Sequence, residues 1–364
     1  MPGPVTRSGH RVLIAVVLAT LAGAVAIVRP DATSADQTSP LLAPYQDRLQ
    51  QATDRALEFL AKSQLPNGFF PTQKNDTAVT SLSVMAFLAC GHTPGQGPYG
   101  EVINRGIDAV LTSQKPNGLL VQDTIASGPM YSHGASTLML LEVSGMVDPA
   151  RQARIDEALA KALKLILAAQ NIPKDEMNKG GWRYQPTSGD SDISCTGWQL
   201  MALRSARNNG ALVPTEAIEE AVKYILKCRH KDDKGGFGYQ PGGGPGLART
   251  GTALLALELC GRHGDRTTLA AGEWILQKLP PGVNKTEFFY YSLYYCSQGM
   301  FQLGDKYWEG WAQRMYDIML ASQQADGSWP VGGGPEQAAG PCYSTAMTVL
   351  ALSVSYRQLP IYQR

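Results

Sequence analysis

The sequence has almost no excess of charge of either sign. Its 364 residues contain 32 Lys and Arg against 31 Asp and Glu, so the formal net charge is +1. A protein that attracts nucleic acid or an anionic membrane surface over long distances normally carries a basic excess. RNP, zinc-finger and helix-turn-helix motifs are also missing. We therefore expect no nucleic-acid partner.

Motifs of several common enzyme classes are absent. No GxSxG motif and no Ser-His-Asp order occurs, which argues against the common hydrolases. The glycine-rich runs 242–245 and 332–335 lack a following Gly-Lys-Ser/Thr, so we interpret them as connectors and not as phosphate loops. There is no CxxC, and the cysteine spacing suggests no small disulfide scaffold. We expect buried free thiols at Cys90, Cys195, Cys228, Cys260, Cys296 and Cys342.

The N-terminus has the pattern of an export signal. Residues 12–28 form an uncharged apolar run that follows Arg7 and Arg11. Residues 1–35 are either a signal peptide cleaved after Ala35 or an uncleaved anchor, because the run is long enough to attach the chain to the membrane. Both alternatives place residues 36–364 outside the cytoplasm, in the periplasm or anchored on the outer side of the cytoplasmic membrane.

Six copies of one pattern fill the rest of the chain. The pattern is an amphipathic helix that ends near a Gln, a turn with Gly and an aromatic residue, and a second helix of apolar and small residues, although the fifth copy lacks the turn. The copies begin at residues 56, 106, 162, 221, 271 and 315, and their length differences lie in the loops. Such regular spacing predicts a repeat protein.

The two helices of each copy differ in polarity. The first keeps charged positions and can face solvent, whereas the second is apolar nearly all round, which is typical of a buried helix. No alternation typical of strands persists anywhere. The sequence therefore predicts an all-α protein in which residues 36–364 form one domain, an (α/α)6 toroid with two concentric rings.

Ser, Thr and Gly mark the ends of these helices. Five hydroxyl residues share one column at the start of the second helices, where we expect them to act as N-caps: Ser132, Ser194, Thr250, Ser292 and Ser344. Five glycines of the turns can adopt left-handed backbone: Gly68, Gly118, Gly181, Gly236 and Gly327. We expect Trp182, Phe237 and Trp329 to pack over the turns.

The turns resemble a known motif. Residues 324–329, Gln-Ala-Asp-Gly-Ser-Trp, resemble the QW repeat of squalene–hopene and oxidosqualene cyclases, and residues 64–69 and 114–119 are weaker copies. Over about residues 50–358 the chain resembles the squalene cyclase and protein prenyltransferase superfamily. Within it, the chain is most similar to bacterial prenyltransferase and squalene oxidase repeat proteins. The resemblance implies a toroid whose inner helices line a cavity, with the site near the start of those helices.

The catalytic motif of the cyclases is incomplete here. Those enzymes use DXDD, whose middle Asp must be protonated and therefore needs burial and a carboxylate neighbour. With Ala202-Leu203 aligned to the family's Ala-Leu, Asp192 matches the first Asp and Ser194 falls on the proton donor. A two-residue shift places Asp190 first and makes Asp192 the donor, with Ile193 in place of the last Asp. In both registers the motif is degraded.

The zinc site of protein prenyltransferases is incomplete as well. That family holds zinc with an Asp-x-Cys pair and a distant His. Aligning Trp198-Gln199 places Asp192 on the Asp and Ser194 on the Cys, and the His position falls near Ser344. One carboxylate does not make a zinc site, which needs three or four ligands. We therefore expect no metal and no cofactor.

Three residues near the implied site are catalytic candidates. Asp190 and Asp192 precede a buried helix, where they either act as acids at a cavity mouth or cap the helix and complement its dipole. His133 occupies the equivalent point of the second repeat. It is either an acid, base or ligand, or a histidine hydrogen-bonded near a helix cap.

Aromatic residues open the inner helices. Residues 288–295 contain two Phe and four Tyr, and such walls either stabilise cations, as in cyclases, or pack as core. An apolar, aromatic cavity is the expected binding site. Its ligand-binding candidates are Tyr131, Trp198, Arg249, Tyr290, Tyr291 and Tyr343.

These patterns give one functional expectation and two alternatives. We expect an exported toroid with an aromatic cavity that binds or modifies an isoprenoid-like apolar molecule. The first alternative is an active class II terpene cyclase-like enzyme with Asp192 as its acid, so the question of catalysis stays open. The second is a non-catalytic scaffold for protein or cell-envelope polysaccharide, which rests on analogy between folds.

Overall fold

The computed structural model describes residues 39–73, 77–122, 128–356 and 358–363. Within them the chain forms twelve α-helices and no β-strand. The helices are α1 Gln46–Ser63, α2 Thr77–Ala89, α3 Gly100–Thr112, α4 Pro129–Val143, α5 Pro149–Gln170, α6 Ile193–Asn208, α7 Thr215–Lys227, α8 Leu247–Leu259, α9 Arg266–Gln277, α10 Phe289–Leu303, α11 Asp305–Ser322 and α12 Gly340–Leu352. No helix among them is long and apolar enough to cross a membrane. The predicted export signal lies outside the described residues.

The even-numbered helices form a closed inner ring. Each packs against the even helices before and after it, and α12 packs against α2. The odd-numbered helices lie outside, and each packs mainly against the inner helix that precedes it in the chain, with α1 packing mainly against α12. Each predicted copy corresponds to one consecutive pair, from α1–α2 to α11–α12. The predicted all-α (α/α)6 toroid is therefore confirmed.

Burial separates the two rings as the sequence predicts. In α2, 12 of 13 residues are buried, whereas α1 buries a single stripe with helical spacing, from Leu49 to Leu60. All six cysteines are free thiols, and four of them are buried, whereas Cys90 and Cys260 are partly exposed, so the prediction of buried free thiols is confirmed for four of the six. The inner ring is thus the core of the protein.

Glutamines link successive outer helices. The Nε2 of Gln64 donates to the carbonyl oxygen of Gly68 in its own turn, at 3.0 Å, and to that of Val102 in α3, at 2.9 Å. Gln323 does the same to Gly327 and to Ala52 in α1, and so joins the last repeat to the first. The same pair of bonds is made by Gln114 and Gln170.

Glycines let the turns approach the next outer helix. Gly68, Gly118 and Gly327 have left-handed backbone, as predicted. In the third and fourth repeats the prediction was one residue late, because Gly180 and Gly235 take this role and not Gly181 and Gly236. A Cβ on Gly180 would lie 2.2 Å from a backbone oxygen of α7, which explains why the first glycine of each pair must bear no side chain.

The predicted N-cap column is wrong. Ser194 lies inside α6, whose N-cap is Asp192, and Thr250 lies inside α8. The hydroxyl of Thr250 instead accepts a hydrogen bond from the backbone N–H of Phe237, at 3.0 Å, and fastens the preceding turn to the inner helix. Equivalent acceptors in the other repeats are Thr80, His133, Thr196 and Thr345.

The C-terminal segment covers the carboxyl end of the inner ring. The backbone N–H of Ile361 donates to Glu142 in the last turn of α4, at 3.1 Å. Gln302, at the end of α10, donates to the carbonyl oxygen of Tyr362, whose hydroxyl also bonds that of Tyr294. The amino end of the inner ring is the end that these contacts leave uncovered.

Candidate functional site

Asp192 lies at the amino end of the inner ring as the N-cap of α6. Its side chain is 0 % exposed. Its Oδ1 accepts hydrogen bonds from the backbone N–H groups of Ser194, at 2.9 Å, and Cys195, at 2.8 Å. The capping role that the sequence left as one alternative for Asp192 is therefore present in the structure.

Arg183 ties both aspartate candidates together. Its Nε lies 3.5 Å from Asp192 Oδ2, and its Nη1 lies 3.2 Å from Asp190 Oδ2. Burial raises the pKa of Asp192 to about 6, although the hydrogen bond from Cys195 and the charge of Arg183 both act to lower it. At neutral pH the Asp192 carboxyl is thus mostly ionised.

A cluster of half-buried tyrosines surrounds this ion pair. The Arg183 guanidinium lies 4.5 Å from the ring centre of Tyr184 and 5.3 Å from that of Tyr239, within cation–π range. The hydroxyls of these two tyrosines are hydrogen-bonded to each other. The ring of Tyr131 lies 5.8 Å from that of Tyr184.

Aromatic residues of α10 and α6 pack together beside this cluster. Tyr291 lies beside Ser194, and its ring is 4.6 Å from that of Tyr295, which meets Trp198 edge-on at 5.6 Å. The hydroxyls of Tyr291 and Tyr295 are buried and make no hydrogen bond of normal geometry within the described ranges. We call Tyr131, Tyr184, Tyr239 and Tyr291, with Asp192 and Arg183, the tyrosine mouth.

Tyr290 and Tyr343, two of the ligand-binding candidates, belong to a separate hydrogen-bond network around Glu336. Tyr290 and Tyr291 donate their backbone N–H groups to Glu336, at 3.2 and 2.9 Å, so this carboxylate caps α10. The hydroxyl of Tyr343 donates to Glu336 at 3.0 Å, and that of Tyr290 donates to the carbonyl oxygen of Pro330. The structure therefore brings Tyr131, Trp198 and Tyr291 together, and places Tyr290 and Tyr343 at the Glu336 cap.

Arg249 lies between the tyrosine mouth and a separate cavity. Its guanidinium is 6.0 Å from the ring centre of Tyr239, and its Nη2 is 3.5 Å from Glu287. It also lines a cavity of about 600 Å³ between the fourth and fifth repeats, which we call the side cavity. Arg249 is thus near the predicted site without facing its centre.

Both ring nitrogens of His133 are engaged by backbone. Nδ1 accepts from the N–H of Leu120 at 3.1 Å, and Nε2 lies 3.2 Å from the carbonyl oxygen of Ala162. Burial lowers the pKa of His133 to about 4, so the ring is neutral at neutral pH and Nε2 is the donor. This geometry supports the structural alternative for His133, because neither nitrogen is left for a substrate.

The residues at the zinc-ligand positions do not fit zinc. Asp192 Oδ1 is engaged by α6, and the Ser344 hydroxyl bonds the carbonyl oxygens of Trp329 and Pro341, each at 3.1 Å. Hydroxyls that are already hydrogen-bonded to backbone are not the thiolate and imidazole ligands that zinc prefers. Across the described residues, no group of three or more His, Cys, Asp or Glu is placed to hold a metal.

Sequence reasoning missed four residues of this region, namely Arg183, Tyr184, Tyr239 and Glu336. One signal was present for the tyrosines. Residues 180–185, Gly-Gly-Trp-Arg-Tyr-Gln, and residues 235–240, Gly-Gly-Phe-Gly-Tyr-Gln, are copies of one turn, and each copy ends on the same Tyr-Gln pair. The recurrence of this tyrosine at the same place in two turns was the signal for Tyr184 and Tyr239.

Comparison with known proteins agrees with this architecture. The chain is a helical toroid, and it belongs to the prenyltransferase alpha-alpha toroid domain family, whose model matches residues 37–284. No curated protein matches the sequence.

Three solved structures illustrate the similarity. Cellobiose 2-epimerase from Spirochaeta thermophila is 15% identical, with a TM-score of 0.60, over 86% of this chain and 97% of its own. A reducing end xylose-releasing exo-oligoxylanase is 14% identical, with a TM-score of 0.58, over 89% and 96%. A type II terpene cyclase from Scytonema, in complex with merosterolic acid A, is 16% identical, with a TM-score of 0.42, over 87% and 100%. The first two similarities show a shared fold alone.

Proposed function

We propose that this protein binds an isoprenoid-like molecule with a polar end at the tyrosine mouth. The observation that carries the proposal is the pair of buried hydroxyls on Tyr291 and Tyr295, which make no hydrogen bond of normal geometry within the described ranges. The two hydroxyls lie close to each other, and that of Tyr291 also lies close to Ser194, but a buried hydroxyl whose hydrogen bonds are poorly formed is costly, so such groups usually mark a place for water or a ligand. The neighbouring rings supply an apolar, aromatic surface for the rest of the molecule.

The geometry favours binding over cyclisation by Asp192. An acid that protonates an alkene must carry a proton at working pH. The Asp192 carboxyl has a pKa of about 6, lies 3.5 Å from Arg183 and accepts two backbone hydrogen bonds. The charge of Arg183 and the two backbone hydrogen bonds each stabilise the charged form of the Asp192 carboxyl. We therefore assign Asp192 to holding the mouth together, with Arg183 as its partner.

We further propose that the toroid works outside the cytoplasm. The support is the sequence of residues 12–28, an apolar run behind two arginines. Cell fractionation followed by mass determination of the mature chain tests this. Recovery of a chain starting after Ala35 outside the cytoplasm supports cleavage, a full-length chain in the membrane fraction supports attachment through residues 12–28, and a full-length chain in the cytoplasm contradicts export.

Binding is tested with farnesol and geranylgeraniol as probes, by titration calorimetry on residues 36–364. We expect Tyr239→Ala to weaken binding about fivefold or more, because it removes one aromatic contact of the mouth. Tyr45, a half-buried tyrosine near the start of α1, provides the matched control Tyr45→Ala, which should bind as the parent does. No heat of binding with either alcohol, or equal weakening by both substitutions, would contradict the proposal.

Native mass spectrometry of the same fragment, purified without detergent, gives an independent result. A discrete co-purifying apolar molecule would support a binding site and identify the chemical class of its ligand. Turnover of that molecule by the parent protein, retained in Asp192→Asn, would show catalysis that does not depend on Asp192. Turnover lost in Asp192→Asn would favour the cyclase alternative over binding alone.

A further inference from the structure

The side cavity has an apolar floor and a charged rim. Trp274, Phe288 and Leu279 are among the residues that line it, together with Arg249 and Lys278. The indole of Trp274 is fixed, because its Nε1 donates to Asp233 Oδ1 at 2.8 Å. The volume of about 600 Å³ lies within the range of small-molecule sites. A flat apolar face of a ligand therefore has a rigid aromatic surface to lie against.

The charges around the cavity balance. Arg249 and Lys278 contribute two positive charges, and Asp233 and Glu287 contribute two negative charges. A singly charged ligand therefore gains no net attraction from the lining. A ligand with several hydroxyls fits such a rim better, because each hydroxyl can donate to a carboxylate and accept from a guanidinium or ammonium group.

Thr286 adds an unused polar atom to the lining. Its Oγ1 is buried and has no hydrogen-bond partner within the described part of the chain. The hydroxyl can both donate and accept, so it is suited to bond a hydroxyl of a ligand. This unsatisfied atom is independent of the charge balance and points to the same kind of ligand.

We propose that the side cavity binds a neutral saccharide, with its C–H face on Trp274 and its hydroxyls on Thr286 and the charged rim. The site is separate from the tyrosine mouth, although Arg249 borders both. The proposal does not depend on the isoprenoid proposal, because its residues and its probes are different.

The test measures binding of cellobiose, maltose and N,N′-diacetylchitobiose to residues 36–364 by tryptophan fluorescence and calorimetry. We expect at least one of them to bind in the millimolar range or tighter, and Thr286→Val to weaken that binding about fivefold through the loss of one hydrogen bond. Arg249→Gln should weaken it as well. Thr215→Val and Arg207→Gln are matched controls, because both residues are exposed and lie away from the cavity.

Three results would overturn the proposal. The first is that none of the three disaccharides binds. The second is that one binds but neither cavity variant weakens it, which would place the saccharide elsewhere. The third is that a sugar acid or an amino sugar competes at far lower concentration than the neutral saccharides, which would show that the cavity selects charge. Because Thr286→Val keeps the shape of the side chain, it remains informative even if Arg249→Gln fails to fold.

Discussion

The buried carboxyl of Glu142 allows a sharp test of the inner ring. Glu142 lies in the last turn of α4 and is 1 % exposed. Its Oε1 accepts from the Ser205 hydroxyl at 2.7 Å, and its Oε2 accepts from the backbone of Ile361 at 3.1 Å. Burial raises the pKa of Glu142 from 4.5 to about 7. We expect Glu142→Gln to stabilise the protein above this pKa and to have little effect below 4.5.

The sign and size of the stability change in Glu142→Gln follow from proton linkage. The folded pKa lies above the unfolded value, so the contribution of Glu142 to stability is fully present below pH 4.5 and is lost as the pH rises through about 7. One pKa unit corresponds to about 1.4 kcal/mol, so the shift corresponds to a loss of about 3 kcal/mol on the alkaline side. A glutamine does not titrate and suffers no such loss.

The pKa of His133 is shifted in the opposite direction to that of Glu142, so its effect on stability changes with pH in the opposite sense. Its pKa is lowered from 6.5 to about 4, so its contribution to stability is present above pH 6.5 and is lost as the pH falls through about 4. In the parent protein the two effects of His133 and Glu142 oppose each other. His133 is the same in the parent and in Glu142→Gln, so its effect cancels in their difference.

Urea unfolding of both proteins at about pH 5 and about pH 8 gives that difference. We expect Glu142→Gln to gain about 2–3 kcal/mol over the parent on going from the lower to the higher pH. Glu157→Gln, at an exposed glutamate of α5, should show no comparable gain. The reasoning is refuted if the stability difference between Glu142→Gln and the parent is the same at both pH values.

Three further predictions concern the turns and the α6 cap. Gln323→Ala removes one hydrogen bond within its own turn and one that joins the last repeat to the first, so urea unfolding should show a loss of about 1–3 kcal/mol, against almost none for the exposed Gln277→Ala. Gly242→Ala should cost about 1–2 kcal/mol because of its left-handed backbone alone, whereas Gly235→Ala should cost clearly more in thermal unfolding, since its Cβ would also lie 2.2 Å from a backbone oxygen of α9. Asp192→Ala should lose about 0.5–2 kcal/mol as the α6 cap is removed, and Asp192→Asn much less, because asparagine is an equally good N-cap; equal losses for the two variants would contradict the capping role.

The fold could be predicted from the sequence because each repeat is defined by short patterns of residues that are close together in the chain. An outer helix and an apolar inner helix recur in every copy, and a turn that contains Gly recurs in every copy except the fifth, so each feature has a local physical meaning. The turn residues Gln64 and Gln323 show why the pattern is regular, since each fastens its own turn to the next outer helix. The closed ring follows once successive inner helices pack against one another, from α2 round to α12 and back to α2.

The capping residues were harder to predict. The hydroxyl column suggested N-caps because Ser and Thr are common there, yet Thr250 serves the turn before it and not the helix it belongs to. The true cap of α10, Glu336, comes from the next repeat. A cap that is distant in sequence leaves no signal near the helix that it stabilises.

The site itself could be predicted only in part. Asp192 was found because it aligns with the acid and zinc motifs of the family that the chain resembles, whereas Arg183 belongs to no such motif and has Gly238 at its counterpart in the next repeat. Tyr290 and Tyr291 are adjacent in sequence, but consecutive residues of a helix point in different directions. Only the side-chain contacts, of Tyr290 with Pro330 and of Tyr291 with Ser194, decide which of the two faces the mouth.

The incomplete acid motif of this chain affects how the tyrosine mouth is held together. In the register that keeps the downstream Ala-Leu, the proton-donor position is Ser194, and the carboxylate that remains, Asp192, is held by two backbone N–H groups and by Arg183. A carboxylate in these surroundings gives up its proton more readily than burial alone would allow, and it orients Arg183 against Tyr184 and Tyr239. The same residue cannot stay protonated for catalysis and remain ionised to hold that arginine. In this chain the contacts of Asp192 favour the second role, in which its carboxylate positions Arg183 between the two tyrosines.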